Sequence, residues 1–202
     1  MLRNEDGTFR RSLIYGVGID DVDGTKEYFE GGVRKTLKSF QDWKNMLRRC
    51  YSKGGEYVGV TTVCDEWKVY SNFKDWFDVN YRNNCWLDKD LSGGKRYSPD
   101  NCIYISKELN KFLIGVNDKC GVWYDDSRDK FQSYTRAFGG KRINIGRFDS
   151  EQEALVAAKL RKVEELKRVC LIYKDDQILV SKIEGLIDRI YETFIYKEKE
   201  VA

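Results

Sequence analysis

The chain has no histidine among its 202 residues. That removes the one side chain whose ordinary pKa lies near neutrality, and with it the usual general base and the commonest metal ligand. It also lacks any C-x-x-C pair. Cys50, Cys64, Cys85, Cys102, Cys120 and Cys170 are scattered, which excludes a zinc knuckle or a disulfide framework and suits buried thiols in a reducing compartment. No apolar run approaches the ~20 residues of a membrane span, and the opening MLRNEDGTFRRS has no apolar signal-peptide core. The sequence therefore predicts no membrane partner and a cytoplasmic location. Charge imbalance is small too: 36 Lys and Arg stand against 33 Asp and Glu, a net charge of +3. A polyanionic partner thus requires basic residues gathered in space rather than a basic total.

What is present is enough for a globular core. Apolar residues make up 41% of the chain and aromatics 14%, which suits one domain with an appendage or two small domains. Residues 13–37 hold Gly16, Gly18, Gly24, Gly31 and Gly32 among short β-type runs, an irregular arm or loose hairpin. Ser39 followed by Asp42 reads as a capping box for a helix over 40–51, with Phe40, Trp43, Leu47, Cys50 and Tyr51 on one face. After a Gly-rich link and an extended piece at 60–63, Asp65 is placed to cap a second helix carrying Trp67, Tyr70, Phe73, Trp76 and Phe77. Aromatics at this spacing read as core, not as exposed stacking platforms. Arg48 and Arg49, side by side before the Gly-rich turn, are either solvated surface or phosphate contacts.

Residues 86–113, WLDKDLSGGKRYSPDNCIYISKELNKFL, spell strand, loop, strand, helix. A hairpin with a helix packed across it would gather Asp88, Asn101 and Asn110 at element ends, where chemistry or phosphate contacts usually sit. Asp88 and Asp90 equally suit turn positions, and Asn101 a strand or turn cap. This stretch resembles the core of the HNH nuclease superfamily, with Lys89 at the His place, Asn101 as the middle Asn and Asn110 at the helical position. The GVGI start, the W-x-x-M-L-x-R-C-Y helix, V-C-D-E-W and Y-S-P-D-N-C are similar to phage proteins grouped with HNH endonucleases. The resemblance implies that Asp88 and Asn110 hold one divalent metal, Mg²⁺ or Mn²⁺, while Asn101 orients the base. Lys89 stands where that base belongs, and a free lysine ammonium titrates at about 10.4, so it suits a phosphate clamp better than proton abstraction.

Residues 121–148 read as three strands, Gly121–Asp125, Lys130–Ala137 and Lys141–Phe148, joined by polar turns, the second at Gly139-Gly140. Asp149 or Ser150 then caps a helix over Glu151–Cys170. Alternation puts Phe131, Ser133, Thr135, Ile143 and Ile145 on one face and Gln132, Tyr134, Arg136, Arg142 and Asn144 on the other. That polar, cationic face is either ordinary solvated sheet or a major-groove reader, for which Arg, Asn and Gln are the usual base-contacting residues. GVWYDDSRDKFQSYTRAFGGKRINIGRFDSEQEALVAAKL resembles the Apetala-type, ethylene-response-factor-like DNA-binding domain. That family's sheet enters the major groove, which maps onto Trp123, Arg128, Gln132, Tyr134, Arg136, Arg142 and Asn144. Tyr134 and Asn144 stand where the plant domains tend to carry an acidic residue and a Trp, so the target sequence differs. Finally, Asp176–Glu198 carries Leu179, Ile183, Leu186, Ile187, Ile190 and Phe194 at helical spacing. This amphipathic helix either packs back on the body or pairs with a second copy.

The expected fold class is α+β: an HNH-like ββα unit with supporting helices over 1–115, a three-stranded antiparallel sheet packed on a helix over 116–172, and a C-terminal amphipathic helix over 173–202. The leading functional expectation is a double-stranded DNA-binding protein built on a phage or mobile-element endonuclease scaffold. It would act as a repressor in a bacterial host without efficient cleavage. The alternatives are a metal-dependent nicking or homing endonuclease and a non-DNA interaction protein.

Overall fold

The computed structural model describes residues 12–114, 116 and 121–196. It is an α+β protein whose sheets are small. Two compact units divide it. One takes the chain up to Asn83 together with Gly93–Tyr104, and the other takes Asn84–Ser92 and everything from Ile105 onward.

The first unit begins with an arm in which Ile14 and Gly18 form an isolated bridge. The expected hairpin follows as β1 (Glu27–Glu30) and β2 (Val33–Thr36). Gly31 and Gly32 both adopt positive φ between them, as the two-residue hairpin turn requires. Helix α1 (Lys38–Tyr51) buries Trp43, Met46, Leu47 and Cys50. Ser39 does not cap it. Leu37 is the N-cap residue, without a side-chain cap bond, while the buried Ser39 hydroxyl pairs with the Tyr70 phenol at 2.8 Å. Each of those hydroxyls would be costly to bury alone. Asp42 instead takes the Lys38 ammonium and the Tyr104 hydroxyl, the latter at 2.9 Å.

Nor does Asp65 cap the second helix. Glu66–Lys68 makes a single 3₁₀ turn, Val69 is extended, and α2 runs only over Tyr70–Asn80. Ile19 causes the break: its N–H donates to Lys68 O at 2.8 Å and its carbonyl accepts from Tyr70 N at 2.9 Å, so the arm occupies backbone groups that a continuous helix would need for itself. The aromatic stripe is core, as its spacing indicated. Trp43, Trp67, Tyr70 and Phe73 are at most 1% exposed, and Trp67 meets Phe73 edge-on at 5.1 Å. Strands β3 (Thr62–Val63) and β5 (Arg96–Tyr97) pair in parallel within this unit.

The second unit takes β4 (Cys85–Asp88), the last half of β6 (Ile103–Ser106) and α3 (Lys107–Leu113). Ser106 caps α3, its hydroxyl accepting from Leu109 N at 3.1 Å, and α3 packs on β4. Strands β7 (Val122–Asp125), β8 (Lys130–Arg136) and β9 (Arg142–Phe148) form the antiparallel sheet. Ser150 caps α4 (Glu151–Ile172) by accepting from Glu153 N at 3.1 Å. Against all three strands α4 packs, and Ser133 donates from the sheet to Ala154 O at 2.8 Å.

Helix α5 (Gln177–Ile190), capped by Asp176, gives way to a π-helical turn over Tyr191–Tyr196, and the last two positions of the expected span, 197 and 198, lie outside the described residues. Leu179, Ile183, Leu186, Ile187 and Ile190 are buried within the chain, and α5 packs on α4. Of the two expected outcomes for this stripe, it is the packing back on the body that occurs. Among the described residues no disulfide forms; Cys50, Cys64 and Cys102 are buried, and Cys120 lies outside them. No described helix is long and apolar enough to cross a membrane.

Candidate nucleic-acid interface

Asp88 ends β4 with 7% of its surface exposed. Its Oδ1 accepts from Leu91 N at 2.8 Å, so the carboxyl closes the turn that follows the strand. Lys89, 4% exposed, puts its ammonium on the Asp90 carboxylate. From α5, Lys182 reaches Ser92 Oγ at 2.8 Å and Arg189 donates to Leu91 O. The Asp88–Ser92 turn is thus stapled by the last regular helix. Asn110 lies on α3 in the same unit as Asp88 and Lys89. Asn101 belongs to the other unit, where its Nδ2 donates to Arg96 O at 3.1 Å. A Cβ on Gly94 would stand 2.5 Å from that amide, so a larger residue there would displace the Asn101 side chain from this position.

Burial pushes the Asp88 carboxyl up to about 6, and the nearby Asp90 charge adds to it, while the Leu91 N–H and Lys89 oppose the shift. Among the described residues no three His, Cys, Asp or Glu side chains gather where they would hold a metal ion. The shift also sets a stability window. Asp88 keeps its proton to about pH 6 when folded and releases it near 3.8 when unfolded, so its contribution is full below pH 3.8 and lost as pH rises through 6. Asp88→Asn retains the acceptor for Leu91 N without the charge. We expect it to match wild type in urea melts at pH 4 and to exceed it by about 1–3 kcal/mol at pH 7.5. Destabilisation at pH 7.5 would instead mean that the ionised carboxylate has a partner.

In the first unit, Arg48 and Arg49 both face Glu56, at 3.9 and 3.2 Å, and the Arg49 guanidinium lies 5.8 Å from the Tyr57 ring centre. Part of the positive charge offered to a phosphate is already met inside the protein.

The β7–β9 sheet has the opposite character. Register pairs Trp123 with Gln132, and then Gln132 with Arg147, Tyr134 with Asn144 and Arg136 with Arg142. Cross-strand partners share a face, so the expected polar face exists, turned away from the side on which Ser133 meets α4. Arg136, Arg142, Asn144 and Arg147 are exposed on it. The Arg142 guanidinium lies over two adjoining rings, 4.1 Å from the Tyr134 centre and 5.0 Å from that of Trp123, which meet each other at 5.4 Å, and its Nε donates to Asn144 Oδ1 at 3.2 Å. Arg136 donates to Gly140 O at 3.3 Å.

Two features of this face escaped the sequence reading. Arg147 belongs to it because the register slips between Ser133 and Tyr134, leaving Ile145 without a partner; Gly146, a glycine inside a strand, is the local signal of such a bulge. Asp125 also shares the face. It accepts from Arg128 Nη1 at 3.1 Å and from Gln132 Nε2, and hydrogen bonds from Ser127, Arg128 and Gln132 hold its carboxyl down to about 2. Arg128 and Gln132 are thereby committed to a carboxylate, and the free cationic surface shifts to the Arg136–Arg142–Asn144–Arg147 end. Compared with family models, with curated proteins and with solved structures, the chain matches none.

Proposed function

We propose that the protein binds double-stranded DNA in a sequence-dependent manner through the exposed face of the β7–β9 sheet, and acts as a repressor or regulator in the cytoplasm of a bacterial host, without efficient cleavage. The observation that carries the reading is Arg142 held over the adjoining Tyr134 and Trp123 rings and tied to Asn144. An arginine held in one orientation loses less side-chain freedom on docking and presents its fork for bidentate contact with guanine, with Asn144 beside it as an adenine reader. A sheet face of this kind is narrow enough for the major groove, and Arg136 and Arg147 flank it as phosphate or base contacts. The reading against cleavage rests on Asp88, buried and closing its own turn, and on Lys89, engaged by Asp90.

The test is fluorescence anisotropy on a duplex selected from random sequence, with Arg142→Ala as the variant. Loss of about 1–3 kcal/mol on the selected site and much less on random duplex is expected, with wild-type affinity falling steeply as salt rises. Equal losses on both duplexes would reduce Arg142 to a phosphate contact; no loss on either would remove the sheet from the interface. Incubating the bound duplex with Mg²⁺ or Mn²⁺ separates binder from nuclease, since nicking that disappears in Asp88→Ala would establish the endonuclease instead.

A further inference from the structure

The sheet face proposed to meet DNA carries a carboxylate, Asp125, which a polyanion repels. Three donors hold it. Ser127 Oγ donates to Oδ1 at 2.6 Å, while Arg128 Nη1, at 3.1 Å, and Gln132 Nε2 both donate to Oδ2. With its carboxyl held down to about 2 by hydrogen bonds from Ser127, then Arg128 and Gln132, Asp125 is ionised near neutral pH and can only accept. An acceptor-only neighbour decides which way round an amide sits. Gln132 gives its Nε2 to Asp125, and its Oε1 is left at the other end, where among the described residues nothing donates to it. The half-buried Gln132 pairs with Trp123 on β7 and with Arg147 on β9.

We propose that Asp125 is a positioning residue that fixes the Gln132 amide with Oε1 toward the groove, so that Gln132 reads a base carrying an exocyclic amine, cytosine or adenine, on the strand it faces. This rests on the reading of the sheet as the DNA-contacting surface and adds to it a position and a polarity. In the major groove C N4 and A N6 donate, whereas G O6 and T O4 accept. A glutamine free to turn over satisfies either kind. One whose Nε2 is turned into the Asp125 carboxylate meets an amine with its oxygen and leaves a base carbonyl unpaired. Arg142 has the opposite character, since its guanidinium only donates.

On β8, Gln132 is two residues from Tyr134, whose ring underlies the Arg142 guanidinium. That is about 7 Å of strand, or about two base-pair steps. The face therefore asks for guanine at Arg142 and for cytosine or adenine about two steps away. The same carboxylate lowers affinity for DNA of every sequence, so selectivity is gained against raw binding strength.

The experiment is selection from random duplex, followed by fluorescence anisotropy on the selected site and on duplexes with single base pairs reversed. Reversing the Gln132 pair, which exchanges amine for carbonyl on the strand it faces, should weaken wild-type binding at least about fivefold. Gln132→Ala should bring that ratio close to one and leave discrimination at the Arg142 guanine unchanged. Asp125→Ala should also abolish the ratio while raising affinity for random duplex at least about threefold, because a repelling charge is gone and Arg128 is released toward phosphate. Asp125→Asn separates orientation from charge. Its amide oxygen can take the place of Oδ2 beside Arg128 and Gln132, with its Nδ2 donating to a reversed Ser127 hydroxyl, so the base preference should survive although the charge does not. A carboxylate that merely propped the turn would, on replacement, weaken binding to all duplexes alike and leave the ratio intact. The inference is overturned by that uniform loss, by a preference for the carbonyl base, or by loss of the preference in Asp125→Asn. Arg142-dependent binding with no position sensitive to Gln132→Ala overturns this inference alone, whereas absence of sequence-dependent binding by wild type overturns the DNA-binding reading and this inference with it.

Discussion

Trp43→Ala is expected to cost about 3–5 kcal/mol from the lost indole packing. The indole is fully buried, lies 5.7 Å from the Phe40 ring and 5.3 Å from that of Tyr70, and donates from Nε1 to Trp67 O at 2.7 Å. Removal leaves that carbonyl without its partner in a dry interior, adding about 1–3 kcal/mol. Against a total stability on the order of 5–15 kcal/mol, this takes away a large share of folding. Trp43→Phe keeps most of the apolar contact and loses the donor, so it should fall between wild type and alanine. Urea unfolding of the three proteins measures the ladder. A cost for alanine below about 1 kcal/mol would mean that the indole is not the centre of the α1–α2 packing.

Gly121→Ala should be nearly as damaging and should act on the sheet. Gly121 has φ +95°, and a Cβ there would stand 2.2 Å from Tyr134 O. Left-handed backbone alone costs about 1–3 kcal/mol. The clash is worse, because its partner is a strand carbonyl: Gly121 O accepts from Tyr134 N at 2.8 Å, so relief requires β7 and β8 to part where Tyr134 supports Arg142. A total of about 3 kcal/mol or more is expected from strain and the lost strand bond. Gly140→Ala is the control, with φ +90° and nothing within 4 Å of the added Cβ, and should show the dihedral cost alone. Thermal denaturation of both variants, with duplex binding of each, checks the difference; equal costs would remove the clash from the account.

Much of the local architecture was legible because the signals are local. Ser150 and Asp176 cap helices with the side-chain bonds their types favour. The alternation of Phe131, Ser133 and Thr135 against Gln132, Tyr134 and Arg136 correctly separated the two faces of β8. Illegible were the features made by residues far apart in the chain. Nothing around Val69 announces that Ile19 will interrupt the helix there, and Ser39 looks like a cap until Tyr70 arrives to claim its hydroxyl. Nothing in the spacing of α4 announces that Lys159 and Lys162 will be buried, donating to Val116 O and Phe112 O. At the HNH-like stretch Asp88 closes a turn and Asn101 donates to Arg96 O. The same polar side chains serve turns and active sites, so type and spacing alone did not separate the two.

The staple on the Asp88–Ser92 turn also dictates an order of events at the ribosome. Lys182 and Ser92 are 90 residues apart, and Arg189 and Leu91 98. Synthesis at about 5–20 residues per second puts roughly 5–20 s between the emergence of the turn and that of its clamp. The β7–β9 sheet and α4 are contiguous in sequence and need no such wait. Leu91, 2% exposed in the finished protein, therefore spends that interval uncovered by α5, a window in which a holding chaperone or a protease meets the nascent chain before its last helix does.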